Sequence, residues 1–289
     1  SSALQNPRFQ LITGDLCDSQ SIENVVREVQ PDYFINFAAN SFVGNSWKMP
    51  LNHMQTNAIG VLHCLEAIKN IKPNTKFYNA GSSEQFGDVD YAPQDIKHPF
   101  KPRSPYGVSK CTAHHLVKVY RESYNIFAVQ GILFNHEGIR RGEEFVTRKI
   151  SRGFAQIKKG LIKNFSLGNL EARRDWGYAG DYVIAMHKML QMSQGDDYVI
   201  ATGKTHSVRE FCEAVFKYAS LGDYKNYVVQ DPKYFRPHEV PYLLGDTSKA
   251  KKKLGWEPKT DLQKLVEMMY DYDFNRLKNE ILVKRQDLF

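Results

Sequence analysis

The sequence predicts an α/β fold, a doubly wound parallel sheet with a smaller C-terminal lobe, and three observations carry that expectation. Strand and helix signals alternate through the first half, the pattern of parallel strands joined by crossover helices. The short buried run Lys76-Phe77-Tyr78-Asn79-Ala80 empties into the small, polar turn Gly81-Ser82-Ser83-Glu84, and strand-end loops are where open parallel sheets keep their chemistry. After about Arg141 the alternation loosens into mixed segments.

In order, Phe9 to Thr13 is expected as a strand, Ser19 to Val29 as a helix, Tyr33 to Ala38 as a strand and Asn57 to Ile68 as a helix. Phe77 to Ala80 is the next strand. A helix follows from Pro105, because proline suits a first turn, where no intrahelical N–H bond is lost. Val108, Ala113, Leu116, Val117 and Tyr120 continue it at helical spacing. Phe127 to Phe134 supplies a further strand. Residues 1–141 are thus expected to form the sheet domain and 142–289 mainly the lobe, with some segments returning to the sheet.

At 289 residues and 42% hydrophobic content the chain can bury a sizeable core. No stretch approaches the roughly 18 consecutive apolar residues that a bilayer span needs. The first residues lack the charged and apolar regions of a signal peptide, so a cytoplasmic protein is expected. Cys17, Cys64, Cys111 and Cys212 are scattered without metal or redox spacing, which suits a reducing compartment and no bound metal. The net charge of +7 is spread along the chain. Its densest run, Lys249 to Lys253, has no interleaved aromatics, which argues against nucleic acid and for an anionic small molecule.

Tyr106 and Lys110 stand four residues apart at the start of the expected helix, so they share a face. An ammonium beside a phenol favours the phenolate and is expected to lower the tyrosine pKa, making Tyr106 a candidate general base. Alone, the spacing is equally that of an ordinary helix surface. The polar turn at Gly81 to Glu84 supplies its chemical setting.

A doubly wound dinucleotide fold opens with a strand, a glycine-rich turn and a helix, the glycines letting backbone approach a pyrophosphate. Nothing in the sequence supplies that turn. The expectation is that the chain starts just past a second strand and represents a truncated or incompletely specified form of a longer protein. A differently wired sheet is the alternative.

Longer stretches are similar to one family. Ser82-Ser83-Glu84, Pro102 to Gly107, Gly131 to Glu137, Arg140-Arg141-Gly142, Phe145 to Ile150 and Ser166 to Leu170 resemble the extended short-chain dehydrogenase/reductases and, within them, the GDP-mannose 4,6-dehydratases. So do Arg174 to Gly177, Tyr198 to Gly203, His206 to Phe211, Arg236-Pro237 and Glu239-Val240. The resemblance implies a Rossmann-type domain, tightly bound NADP and a lyase converting GDP-mannose to GDP-4-keto-6-deoxymannose. It implies that Tyr106 takes the sugar 4-hydroxyl proton while hydride leaves C4. Glu84 then removes the C5 proton, water leaves C6 and hydride returns to C6. Ser82 hydrogen-bonds the developing C4 oxygen, and Lys110 lowers the tyrosine pKa and binds the nicotinamide ribose. The family usually has threonine where Ser82 stands, so its hydroxyl rotamer is less restricted here.

Further cofactor contacts implied by the resemblance are Asp15 and Leu16 near the adenine, Phe37, Ala38, Ala39 and Ser41 along the ribose and phosphates, and His136 and Arg141 near the nicotinamide. Asn135, Lys149, Arg174, Arg236 and Glu239 are implied contacts of GDP-mannose. A homodimer or homotetramer is implied as well, and without the glycine-rich turn weak NADP binding is expected of these residues alone. An epimerase or 4-keto-sugar reductase would share Tyr106 and Lys110 but has no use for Glu84. A dehydratase of another nucleotide sugar and a non-catalytic nucleotide-sugar-binding module are the remaining alternatives.

Overall fold

The computed structural model describes residues 2–235 and 237–286. Asp18 opens helix α1 (Ser19–Val29) by accepting from the Gln20 amide at 3.0 Å, which satisfies one of the donors that a helix start leaves free. Strand β1 (Tyr33–Asn36) follows, then the short helices α2 (Val43–Ser46) and α3 (Pro50–Met54). Gln55–Ile59 form a π-helical turn that runs straight into α4 (Gly60–Ile71). Strand β2 (Lys76–Ala80) leads to a single 3-10 turn at Ser83–Gln85, and α5 (Pro105–Tyr124) begins behind the cap Ser104, whose hydroxyl accepts from Gly107 N at 3.0 Å. Strands β3 (Ala128–Leu133) and β4 (Asn135–Glu137) come next.

The second half holds α6 (Val146–Lys158), β5 (Phe165–Leu167), β6 (Arg173–Arg174), β7 (Trp176–Tyr178) and α7 (Ala179–Leu190). Then follow β8 (Asp197–Ile200), β9 (His206–Ser207), α8 (Val208–Ala219), β10 (Val228–Gln230), α9 (Ser248–Leu254) and α10 (Leu262–Gln286).

The main sheet has the order β1-β2-β3-β8, all parallel, so one strand from the second half completes it. Successive residues of a strand point to opposite faces. Phe77 accordingly packs with α1, α4 and α5 through Val26, Leu65, Ile68, Ala113 and Val117. Its neighbour Tyr78 packs on the other face with α7 and α9 through Tyr182, Met186, Met189 and Leu254. Burying each such large apolar side chain contributes about 1.5–3 kcal/mol. This is the doubly wound arrangement that the alternation predicts.

A separate core joins α6, α8 and α10 through Ile150, Phe154, Phe211, Phe216, Val266 and Met269. Buried within it, Arg148 pairs with Asp273 at 2.7 Å and also donates to the carbonyls of Ile139 and Arg141, which ties the chain after β4 to the last helix. Two-stranded pairs β4-β7, β5-β10 and β6-β9 complete the described sheets. No helix among the described residues is long and apolar enough to cross a membrane.

One expected strand is absent. Residues 9–13 join no ladder, with Leu11 84% exposed. Alternating apolar residues give a strand only when a neighbour takes up the backbone N–H and C=O groups, and no described strand pairs with this segment. Because β1, β2 and β3 are parallel and in register, the loops 37–41, 81–85 and 134–141 leave the same edge of the sheet, and the candidate site lies there.

Candidate active site

Ser82 leaves β2 in extended conformation and caps the 3-10 turn, with its hydroxyl accepting from Glu84 N at 3.2 Å and its own amide donating to Gln85 Oε1 at 2.9 Å. The same hydroxyl is hydrogen-bonded to the Tyr106 phenol. Ser82, Glu84, Tyr106 and Lys110 are all buried, between 6% and 9% exposed, so four polar groups share one nearly dry corner. The rotamer freedom expected of Ser82 is taken up by its two partners.

The expected effect of Lys110 on Tyr106 is not what this arrangement gives. Helical spacing does put both side chains on the buried face of α5, but Lys110 Nζ donates to the carbonyl of Ala80 at 2.8 Å and lies 5.9 Å from the Tyr106 ring centre. Burial pushes the Tyr106 phenol up to about 12; the Ser82 hydrogen bond works against that, the Glu84 charge works with it, and the Arg141 charge opposes it. Burial likewise pulls the Lys110 ammonium down to about 8. Desolvation therefore outweighs the neighbouring charges.

His136 and Arg141 come from the chain after β3. The His136 Nδ1 donates to the Phe134 carbonyl at 2.9 Å and its ring stacks on Tyr182 at 5.4 Å. Burial lowers the His136 pKa, with the Phe134 contact opposing and the Arg141 charge reinforcing the shift, so the imidazole is neutral. Arg141 reaches the buried Glu137 carboxylate at 3.1 Å and lies 3.6 Å over the Phe145 ring. Phe145 in turn meets Phe42 edge-on at 5.9 Å, which brings the loop after β1 to the start of α6.

The other predicted cofactor contacts are spread along the strand ends. Asp15 is exposed, with its carboxylate accepting from Cys17 N at 2.9 Å. Leu16 is buried under α4, and its carbonyl takes the His63 ring nitrogen at 2.8 Å. Phe37, Ala38 and Ser41 are exposed in the loop after β1, and Ala39 is half-buried there.

Three of the predicted substrate contacts, Lys149, Arg174 and Glu239, meet at residues 231–240. Arg174 donates to Glu239 at 2.6 Å and to the Val240 carbonyl at 2.7 Å, so two of them hold each other. Lys149 lies 3.5 Å over the ring of Tyr234. Asn135 opens β4, in register with Trp176. Arg236 lies outside the described residues. A cavity of about 620 Å³ opens beside the start of α5, between Trp47, Pro102, Arg103 and His238, and its walls do not include Ser82, Glu84 or Tyr106.

Three contributors escaped the sequence reading. Asn57, in the π-helical turn, accepts from Asn40 N at 2.8 Å and donates to Asn40 O and Ser109 Oγ, so it pins the loop after β1 to the Tyr106 helix. π-turns are frequent at functional sites, and an asparagine on an otherwise apolar helix face was the available signal. Tyr234 was hidden beside the motif at Arg236. Arg103 bridges Asp88 at 2.7 Å and the Glu239 carbonyl at 3.0 Å.

Gly87 closes the Glu84 turn with φ +58°, and a Cβ there would overlap the carbonyl of Lys101. Gly87→Ala is expected to destabilise the fold by about 2 kcal/mol or more, from the left-handed backbone and the clash together. Urea unfolding measures this, and an unchanged midpoint would refute it.

A family model described as GDP-mannose 4,6 dehydratase matches residues 1–269. The chain belongs to the GDP-mannose 4,6-dehydratase family. It is 48% identical over 276 residues to GDP-mannose 4,6 dehydratase 1 of Arabidopsis thaliana, covering 94% of this chain and 76% of that protein. The human GDP-mannose 4,6 dehydratase is 44% identical over 288 residues, covering 93% and 77%. The family's wider fold is evident in solved structures. The UDP-glucose 4-epimerase of Thermotoga maritima superposes with a TM-score of 0.85 at 24% identity, covering 94% of this chain and 86% of that one. RMD from Pseudomonas aeruginosa complexed with NADPH superposes with 0.84 at 24% identity, covering 92% and 88%.

Proposed function

We propose that the protein converts GDP-mannose to GDP-4-keto-6-deoxymannose with loss of water, using NADP. The observation that carries this is the buried carboxylate of Glu84 on the same short turn as Ser82, which bonds Tyr106. A phenol alone serves oxidation at C4, whereas elimination of water needs a second group that takes a proton from carbon. Family membership and the relatives named GDP-mannose 4,6-dehydratase support the substrate; the NADPH in the Pseudomonas structure supports a nicotinamide cofactor.

The residues at the nicotinamide end fit such a cofactor: a buried lysine, a phenol and a neutral histidine meet at the ends of parallel strands. Lys110 and His136 would hold it there, with Phe37, Ala38, Ala39 and Ser41 along its length and Asp15 and Leu16 beyond. When bound, it supplies the acceptor and later the donor of hydride. Tyr106 takes the proton of the 4-hydroxyl, and Ser82 holds the C4 oxygen. The resulting ketone acidifies C5, and Glu84 removes that proton and passes it to the departing 6-hydroxyl. The proton collected by Tyr106 is then available for C5, so the protein ends the cycle as it began.

Lys149, Arg174 and Arg236 offer the charges that a diphosphate requires. In this reading NADP belongs mainly to residues 1–141 and the GDP-sugar to 142–289, and the protein works as a homodimer or homotetramer. The full-length protein given GDP-mannose and NADP should yield a product lighter by one water, with no net reduction of NADP. Release of a C4 epimer, or stoichiometric NADPH, would reject the reading.

A further inference from the structure

Three amides lie in a row across the apolar floor of the site. Asn36, Asn79 and Gln130 stand opposite one another in the registers of β1-β2 and β2-β3, on the face that also carries Phe34, Phe77 and Ala128. They are 5%, 1% and 0% exposed. Asn36 Nδ2 donates to Asn79 Oδ1 at 3.0 Å, and Asn79 Nδ2 donates to Gln130 Oε1 at 2.9 Å. All bonds run one way, so the row polarises itself and ends on a donor, Gln130 Nε2, that has no partner among the described residues. Cohesion does not require the row, since replacing both partners of a buried hydrogen bond by apolar groups of the same shape is close to neutral.

The free end points at the catalytic turn. A Cβ on Gly81 would overlap Gln130 Nε2, and would lie 2.8 Å from both Gln85 Oε1 and the Gly131 carbonyl. Gly81 N donates to that carbonyl at 2.8 Å. Gln85 Oε1 is the atom that holds the amide of Ser82. Gly81 is thus clamped between the end of the row and the cap of the turn, one residue before the hydroxyl that binds Tyr106.

We infer that the Asn36-Asn79-Gln130 row is a positioning device for Ser82 and Glu84, acting through close contact between Gln130 and Gly81. It rests on the roles proposed above for those two residues. The geometry makes Gly81 and the amide pair interdependent: the longer side chain sits on β3 because the turn carries no Cβ there. Exchanging the pair, Asn79→Gln with Gln130→Asn, keeps two amides of the same summed length and withdraws the longer one from Gly81.

Gly81→Ala in the native row is expected to lower kcat for GDP-mannose by about 10²-fold, as a displacement near 1 Å does, with KM changed by less than about threefold. In the exchanged row the same substitution should cost less, about tenfold in kcat, because the contact with residue 130 is relieved while those with Gln85 Oε1 and the Gly131 carbonyl remain. An equal effect of Gly81→Ala in both backgrounds overturns the inference, as does no effect in either. Hydrogen exchange of the amides of residues 82–87 in the four full-length proteins gives a second reading. If no variant, and not the parent, turns over GDP-mannose, the proposed reaction fails; the inference then stands if Gly81→Ala quickens exchange more in the native row than in the exchanged one and falls if it does so equally in both.

Discussion

Glu84→Gln is expected to slow formation of the 4-keto-6-deoxy sugar by about 10³-fold while GDP affinity stays within about twofold, the scale on which positioned acid–base groups act. Glutamine has the same length and shape, so the turn should persist: Glu84 is held there by its backbone amide on Ser82 Oγ, and that bond is indifferent to the side chain. What is lost is a site able to take a proton from carbon and hand it to oxygen. GDP affinity should survive because the candidate diphosphate contacts, Lys149 and Arg174, belong to α6 and β6 and not to the turn. Turnover in deuterated water separates the steps. The wild type should exchange the C5 proton with solvent, and the variant should not. Full turnover by Glu84→Gln would remove this residue from the chemistry and leave Tyr106 with an oxidation that an epimerase or reductase could equally use.

Much of this was legible in the residues, and the boundary is physical. The helix at Ser19–Val29 and the one from Pro105 were legible because their signals are local: apolar residues at helical spacing and, for the second, a proline in the first turn. The strand expected at 9–13 failed because a strand is a property of two segments, and alternation reports on only one. The same limit governs the site. Spacing placed Tyr106 and Lys110 on one face, yet it could not reveal that the Ala80 carbonyl, 30 residues away, competes for the ammonium. The amide row joins residues 43 and 51 positions apart, and Arg174 meets Glu239 across 65, so only strand register and folding disclose them. Resemblance supplied roles for Ser82 and Glu84; the structure adds that one hydroxyl links both to the phenol.

Tyr106→Phe is expected to cost about 10³-fold in kcat, since it removes the group that accepts the 4-hydroxyl proton and leaves a ring of the same shape. The dependence on pH carries more information than the loss. Productive protein needs phenolate at Tyr106 and ammonium at Lys110 together, yet burial holds the phenol at about 12 and the ammonium at about 8. Below about 8 the lysine is charged, and each unit of pH raises the phenolate fraction about tenfold. Above it, each gain in phenolate is matched by a loss of ammonium. The kcat/KM profile should therefore rise with unit slope and level off near 8, and the break should belong to Lys110 although Tyr106 is the base. Lys110→Arg tests the assignment, because a guanidinium keeps its charge throughout. Its profile should be lower, owing to imperfect fit against the Ala80 carbonyl, but should go on rising past the wild-type break. A break that stays where it was would show that some other group sets it, and a Tyr106→Phe variant within tenfold of wild type would show that the phenol is not the base.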